Sequence, residues 1–258
     1  MTDETKEKEV SGRELLRQPV TLALARYLSD LRSAIGFQAY LWRMIVDADY
    51  GHGDVTRFPR PGDPPPSESA AGQMDIHSAL LEEMLFCREV NSFLTYLADL
   101  VTLIYEKYPK MLQSDKQMTY QFGIEHHLAG DLIPALAEKT VMQLTHQGLD
   151  ALEKYFEKKL KLVLFTNEAD LAKAALSVDI RNVITHNRGF INRLFIQRNP
   201  QFAQDLGKRV VLGEQERRGM LSTLGYRARQ LDLRAIKKFR LETVALQFKD
   251  SANGPPKF

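Results

Sequence analysis

One cysteine, one tryptophan and no long apolar run bound this chain before any motif is read. Cys87 stands alone, which excludes an internal disulfide framework and fits a reducing compartment. No stretch of about 18 apolar residues exists, and the longest candidate, Phe93 to Tyr105, is broken by Asp99. The opening Met1-Thr-Asp-Glu-Thr-Lys-Glu-Lys-Glu9 is polar and charged, without the apolar stretch of a secretory leader. A cytoplasmic protein without membrane contact is therefore expected. A phosphate loop is missing, since Phe202 stands where the first glycine before Gly207-Lys208 would be. So is the Gly-x-Ser-x-Gly elbow of serine hydrolases. His126 and His127 are adjacent, so only one of them faces any given site, and no cysteine or further histidine stands at metal spacing. They read as a solvated pair at a turn. His77 and His146 read as ordinary helix residues and His52 as part of a loop. Neither a metal nor another cofactor is called for.

What the chain does have is helical periodicity. At 258 residues, with 44% hydrophobic and 26% charged residues, it is long enough to bury a core. Three- and four-residue apolar spacings from Leu15 to Val46 predict a long amphipathic helix starting near Pro19. Tyr50 to Gly72 holds Gly51, Gly53, Pro59, Pro61 and Pro64 to Pro66, a composition that propagates neither helix nor strand and predicts a mobile loop. A second long helix is predicted from Met74 to Tyr108, closed by Pro109 and roughly 50 Å long at 1.5 Å per residue. Further helices are expected over Leu132–His146, Leu149–Leu160, about Glu168–Asn187 and about Glu214–Leu246. Val210 to Leu212 reads as a brief extended piece. Trp42, Phe93, Tyr96 and Tyr105 follow the helical spacing and are expected in the core. The resulting expectation is an all-α bundle with four parts. These are an N-terminal helical extension (1–50), a proline-rich linker (51–73), a main helical domain (74–246) and a disordered tail (247–258).

Net charge is only +2, but it is unevenly spread. Residues 181–258 contain 16 Lys/Arg against 6 Asp/Glu, leaving 19 against 27 in residues 1–180. Two explanations stand side by side: the basic part meets a polyanion, or the two regions neutralise each other within one fold or across a dimer. The last helix carries Arg217, Arg218, Arg227, Arg229, Arg234, Lys237, Lys238 and Arg240, with Leu221, Leu224, Leu231, Leu233 and Ile236 as its apolar side. It reads either as the solvated face of a core helix or as a stripe binding an RNA backbone through Arg227, Arg229, Lys237 and Lys238.

The most informative run is Arg181-Asn-Val-Ile-Thr-His-Asn-Arg-Gly189. It places a permanent cation, Arg181, and a titratable imidazole, His186, beside the carboxamides Asn182 and Asn187 and the cation Arg188. It closes an Ala/Leu-rich helix, with Gly189 as the stop. A cation and a group exchanging protons near neutral pH suit phosphodiester chemistry without a metal. In such a site His186 would move the proton of an RNA 2′-hydroxyl or of the leaving 5′-oxygen, helped toward protonation by the helix C-terminal dipole. Arg181 would hold the phosphate, and Asn182 would orient His186 or bind the phosphate. The plainer alternative is that His186 and Asn187 merely cap a helix while Arg181 pairs with Asp179 or Glu168. Five residues at 100° each put Arg181 and His186 about 140° apart on an ideal helix, whereas Asn182 and His186 share a face. An Arg–His site thus needs the helix to end inside the motif, or two copies of the motif across a symmetric interface.

Arg181-Asn182-x-x-x-His186 resembles the Arg-x4–6-His signature of HEPN domains. The likeness extends to Asn91-Ser-Phe-Leu-Thr-Tyr-Leu-Ala-Asp-Leu, Tyr108-Pro-Lys-Met-Leu-Gln-Ser and His186-Asn-Arg-Gly-Phe-Ile-Asn-Arg-Leu-Phe195, which resemble a group of bacterial HEPN-like proteins over roughly residues 91–213. Ile180 stands where those proteins often carry a second basic residue. The resemblance implies a HEPN-type helical bundle and a homodimer whose two motifs meet in one cleft. It also implies cleavage of single-stranded RNA to a 2′,3′-cyclic phosphate and a 5′-hydroxyl. Arg181, Asn182 and His186 would be catalytic, with Asn187 and Arg188 contacting RNA. Stress response, toxin–antitoxin or phage defence is the implied setting, with an antitoxin or other defence protein as a partner. Some HEPN-like domains are non-catalytic, so a module binding RNA, nucleotide or protein is the other reading.

Overall fold

Helix-period apolar spacing becomes helix almost wherever it occurs in the computed structural model, which describes residues 18–49, 70–112, 120–147 and 149–246. The described elements in chain order are α1 (Leu22–Asp49), α2 (Ala70–Lys107), α3 (Tyr120–Ala129), α4 (Leu132–Gln147) and α5 (Leu149–Tyr155), followed by α6 (Glu168–Asn187), α7 (Arg193–Arg198) and α8 (Glu214–Phe239). A π turn, Phe156–Leu160, prolongs α5, and short 3-10 turns cover Pro109–Leu112 and Pro200–Asp205. Among the described residues the only β pairing is two isolated bridges, so the chain is all-α.

The core is built around α2. Phe86, Val90, Phe93, Leu97, Leu100, Val101 and Ile104 have no exposed surface, and a fully buried side chain of this size stabilises by roughly 1.5–3 kcal/mol. Helix α1 lies antiparallel to it. Ser92 donates to Asp30 at 3.1 Å, Arg88 pairs with Asp30 at 3.5 Å, and Arg26 reaches Asp99 at 3.9 Å. Between them Tyr27 stacks on Tyr96, with ring centroids 5.7 Å apart. Helix α8 runs parallel to α2, with the Tyr96 hydroxyl donating to the Ala228 carbonyl at 2.9 Å and the Tyr108 hydroxyl to that of Phe239 at 3.0 Å. Helix α6 runs antiparallel to both: Asp170 near its start holds Arg227, while Asn91 of α2 meets Arg181 near its end.

Several expectations need correction. The N-terminal helix is not an extension outside the domain. Val20, Ala23, Leu24 and Tyr27 belong to the same apolar core as α2 and α8. The Thr21 amide donates to Asp232 at 3.0 Å, as does its hydroxyl, and Val20 forms an antiparallel bridge with Val244. The last helix stops at Phe239 rather than Leu246, because Arg240 turns left-handed (φ 50°). The chain then runs back, burying Leu241 and reaching the Val20 bridge. Trp42 is exposed, not core, because α1 outruns the helices that cover its first half; Phe93, Tyr96 and Tyr105 are buried as expected. His126 and His127 fall in the last turn of α3, His126 Nδ1 lying 2.8 Å from Asp131. Most of the proline-rich stretch and the whole tail lie outside the described residues; Ala70–Gly72 already belong to α2.

Asp232 ties three of these helices together and generates a pH prediction. Its side chain has no exposed surface; burial pushes its carboxyl up to about 6, against the hydrogen bonds from Thr21 and the charge of Arg229. A carboxyl raised in the folded state favours folding while protonated. Its contribution is full below about pH 4 and is lost as pH rises through about 6, on the order of 2–3 kcal/mol. Urea unfolding of the wild type between pH 4.5 and 7 should show this loss, and Asp232→Asn should flatten it. An unchanged slope in the variant would assign the effect to other groups.

Candidate active site

The motif forms the end of α6, and local chemistry fixes both ends of that helix. Asn167 caps the start, its side chain accepting the Asp170 amide at 2.8 Å. At the other end Arg188 (φ 55°) and Gly189 (φ 81°) turn left-handed, and the Gly189 amide returns to the Val183 carbonyl at 3.0 Å. The helix therefore does not end inside the motif. Arg181, Asn182 and His186 all lie on unbroken helix, and Arg188 is its C-cap.

Arg181 faces α2. Its Nε donates to Asn91 Oδ1 at 2.6 Å and its Nη1 to Asn182 Oδ1 at 2.7 Å. The expected alternatives, pairing with Asp179 or Glu168, do not occur: Asp179 takes Arg198 and Asn199, each at 2.9 Å. Arg181 is thus a half-buried cation held by two neutral carboxamide oxygens, with no carboxylate within 4 Å among the described residues. Burial lowers its pKa, while the nearby Cys87 thiol acts in the opposite direction. Its Nη2 makes no hydrogen bond to a described residue. One turn on, Thr185 places its hydroxyl 3.9 Å from Cys87 Sγ, and burial pushes that thiol's pKa up.

His186 is exposed in the last turn, and its ring makes no hydrogen bond to a described residue. Asn187 donates through its side-chain amide to the Phe190 carbonyl, fixing the exit from the helix. The chain then bridges back on itself, Phe190 opposite Arg209, and Arg209 clamps Glu83 of α2, its Nε donating to Oε1 at 3.2 Å and its Nη2 to Oε2 at 2.8 Å. Beside this turn lies a groove of about 290 Å³, floored by Ile180, Ile191, Phe195 and Phe202 and edged by Lys208 and Glu216. No family model, curated protein or solved structure matches the chain.

The structure brings some predicted site residues together and separates others. Arg181, Asn182, His186, Asn187 and Arg188 gather at one end of the bundle. Arg227 and Arg229 do not form an outward stripe. Arg227 is 3% exposed, bonded to Asp170 at 2.6 Å and to Thr166; Arg229 is 6% exposed and donates to the Gln18 carbonyl. Both carry the desolvation cost of buried guanidinium groups, which internal acceptors offset. Lys237 and Lys238 are exposed, but at the far end. Measured from the Asp170–Arg227 level, His186 lies sixteen residues one way and Lys237 ten the other, roughly 40 Å apart at 1.5 Å per residue. Lys238 there donates to the Lys161 carbonyl at 2.8 Å. Much of the charge asymmetry is satisfied internally, as in Arg209–Glu83, Arg217–Glu82 and Arg227–Asp170. Asn91 and Cys87 were missed as site residues. Their signal was the four-residue spacing that puts both on one stripe of α2.

A stability prediction follows from these placements. Arg227→Ala leaves Asp170 largely buried without its partner and should cost about 2–3 kcal/mol, whereas Lys238→Ala should stay within about 0.5 kcal/mol. Urea unfolding of the two variants checks this; equal small effects would mean that Arg227 is not locked into the fold.

Proposed function

We propose that this chain is a HEPN-type protein that cleaves single-stranded RNA without a metal, using two copies of the Arg181–His186 motif in a homodimer. The observation that carries the reading is the state of Arg181: a half-buried guanidinium held in place by Asn91 and Asn182, with no carboxylate neutralising it and donors left over, on the same helix end as an unbonded imidazole. A prepositioned cation in a partly desolvated setting suits the charge that develops on a phosphate in the transition state. The resemblance of the motif and its flanking segments supports the same reading.

In the proposed reaction the His186 imidazole of one copy takes the proton from the RNA 2′-hydroxyl. The freed oxygen attacks the adjacent phosphorus, and the bond from phosphorus to the 5′-oxygen breaks. The imidazolium of the second copy gives its proton to that oxygen. The products are a 2′,3′-cyclic phosphate and a 5′-hydroxyl. Arg181 neutralises the non-bridging oxygens, while Asn187 and Arg188, beside His186, contact the flanking backbone. A cytoplasmic role in stress response, toxin–antitoxin or phage defence, with a neutralising partner protein, belongs to this proposal.

A non-catalytic RNA- or nucleotide-binding module is the second reading, favoured by one observation. On an unbroken helix Arg181 turns to α2 while His186 turns to solvent, so one chain does not assemble both groups around one phosphate. Incubation with mixed single-stranded RNA in excess EDTA separates the two. Cleavage giving cyclic-phosphate ends is expected from the wild type. His186→Ala and Arg181→Ala should each lower the rate at least about 100-fold. The His186 variant should melt like the wild type, and the Arg181 variant should lose about 1 kcal/mol with its hydrogen bonds to Asn91 and Asn182. Equal activity in all three proteins means a contaminating nuclease and sinks the proposal; binding without cleavage leaves the module.

A further inference from the structure

Helix phase places a continuous apolar face next to the Arg181 site. On α2, Leu80, Met84, Cys87 and Asn91 fall within about 60° of one another at 100° per residue. The Cys87–Asn91 end of this stripe is covered by Thr185 and Arg181 of α6. The Leu80–Met84 end is open among the described residues: the two side chains are 56% and 62% exposed. Helix α1 adds to the same face. Phe37, Tyr40 and Met44 also fall within about 60° of one another, and each is at least half exposed. Asp30 contacts with Arg88 and Ser92 fix α1 antiparallel to α2 in a definite register. With right-handed helices this register turns Phe37, Tyr40 and Met44 to the Leu80–Met84 side. Ile35 and Trp42 turn to the opposite flank of α1, roughly 180° from Phe37, Tyr40 and Met44, with the core contacts of Ala34 and Tyr27 between the two flanks.

We infer that this face of the α1–α2 hairpin, centred on Phe37, Tyr40, Met44, Leu80 and Met84, is the seat of a second copy of this chain. Five half-exposed side chains of this size present roughly 500 Å² of apolar surface. A standard interface takes about 800 Å² per partner, a little over half of it apolar, so the face supplies one partner's share. Isologous pairing lets one such patch serve both copies. The face is continuous with the Cys87–Asn91 contact of Arg181, so docking there carries the partner's motif toward this one. That completes the site which a single α6 leaves divided. The inference deepens the dimeric ribonuclease reading by naming its interface, yet it rests on exposed surface that exists whether or not RNA is cleaved.

Light scattering after gel filtration at tens of micromolar tests it. The wild type should run as a dimer, twice 29.5 kDa. Tyr40→Glu/Met84→Glu should be monomeric with unchanged helicity, and Ile35→Glu/Trp42→Glu, on the opposite flank, should stay dimeric. Arg181→Ala and His186→Ala should also stay dimeric, so loss of cleavage and loss of pairing read out separately. A dimer that fails to cleave RNA leaves the interface standing and removes the ribonuclease reading. A monomeric wild type overturns the inference, as does equal dissociation by both double variants. A monomeric wild type that binds neutral phosphatidylcholine vesicles, with Tyr40→Glu/Met84→Glu failing to bind, would reassign the face to a lipid surface.

Discussion

The arrangement of this molecule depends on covering one helix. The C-terminal half of α2 is apolar on too many sides to face water, with Phe86, Val90, Phe93, Leu97, Leu100, Val101 and Ile104 all fully buried. Burial of that surface is non-directional, and several packings would satisfy it about equally well. What selects one is a small set of directional contacts at the edges: Asp30 with Ser92, Tyr96 with the Ala228 carbonyl, and Thr21 with Asp232. These set the sense and register of α1 and α8. The remaining side of α2, at Cys87 and Asn91, is left for the end of α6.

Arg181 occupies that remaining side, and its setting follows from it. A guanidinium brought against a helix needs acceptors to offset its desolvation. Here the acceptors are amide oxygens rather than carboxylates, so hydrogen bonds are partly satisfied while the charge is not cancelled. Arg227 was treated differently: it meets Asp170, which cancels the charge and turns a basic residue into a structural one. The half-buried Arg181 and the fully buried Arg227 thus differ in chemical availability, and the partner of each, neutral amide oxygens against a carboxylate, sets the charge left over.

The periodicity of the α-helix governs the rest of the site. An unbroken helix through Asn187 leaves Arg181 and His186 on different sides, and no rotamer change brings a five-residue pair onto one phosphate as directly as an i,i+4 pair. Asn182 and His186 do share a side, but Asn182 is already engaged by Arg181. Within one chain the cation and the imidazole are therefore divided between two sides of α6, beside the exposed apolar face of the α1–α2 hairpin.

Helix content and type were readable along the chain because apolar spacing and caps act locally. Gly189 marks the end of α6, and Leu149 and Pro109 mark other boundaries well. Local signals failed where long-range contacts competed. Residues 241–246 carry helical spacing but run extended, because Leu241 is buried and Val244 pairs with Val20 more than two hundred residues away. Trp42 has core-like spacing but stands on a flank of α1 that no described helix covers. The same limit applied to the site. The run from Arg181 to Arg188 is contiguous, so its residues had to lie together, and chain order alone placed them. Asn91, Cys87 and the separate fates of Arg227 and Lys238 depended on which helix packs on which side. That choice is made by burial and by buried polar pairing summed over the whole core, and no single stretch of sequence contains it.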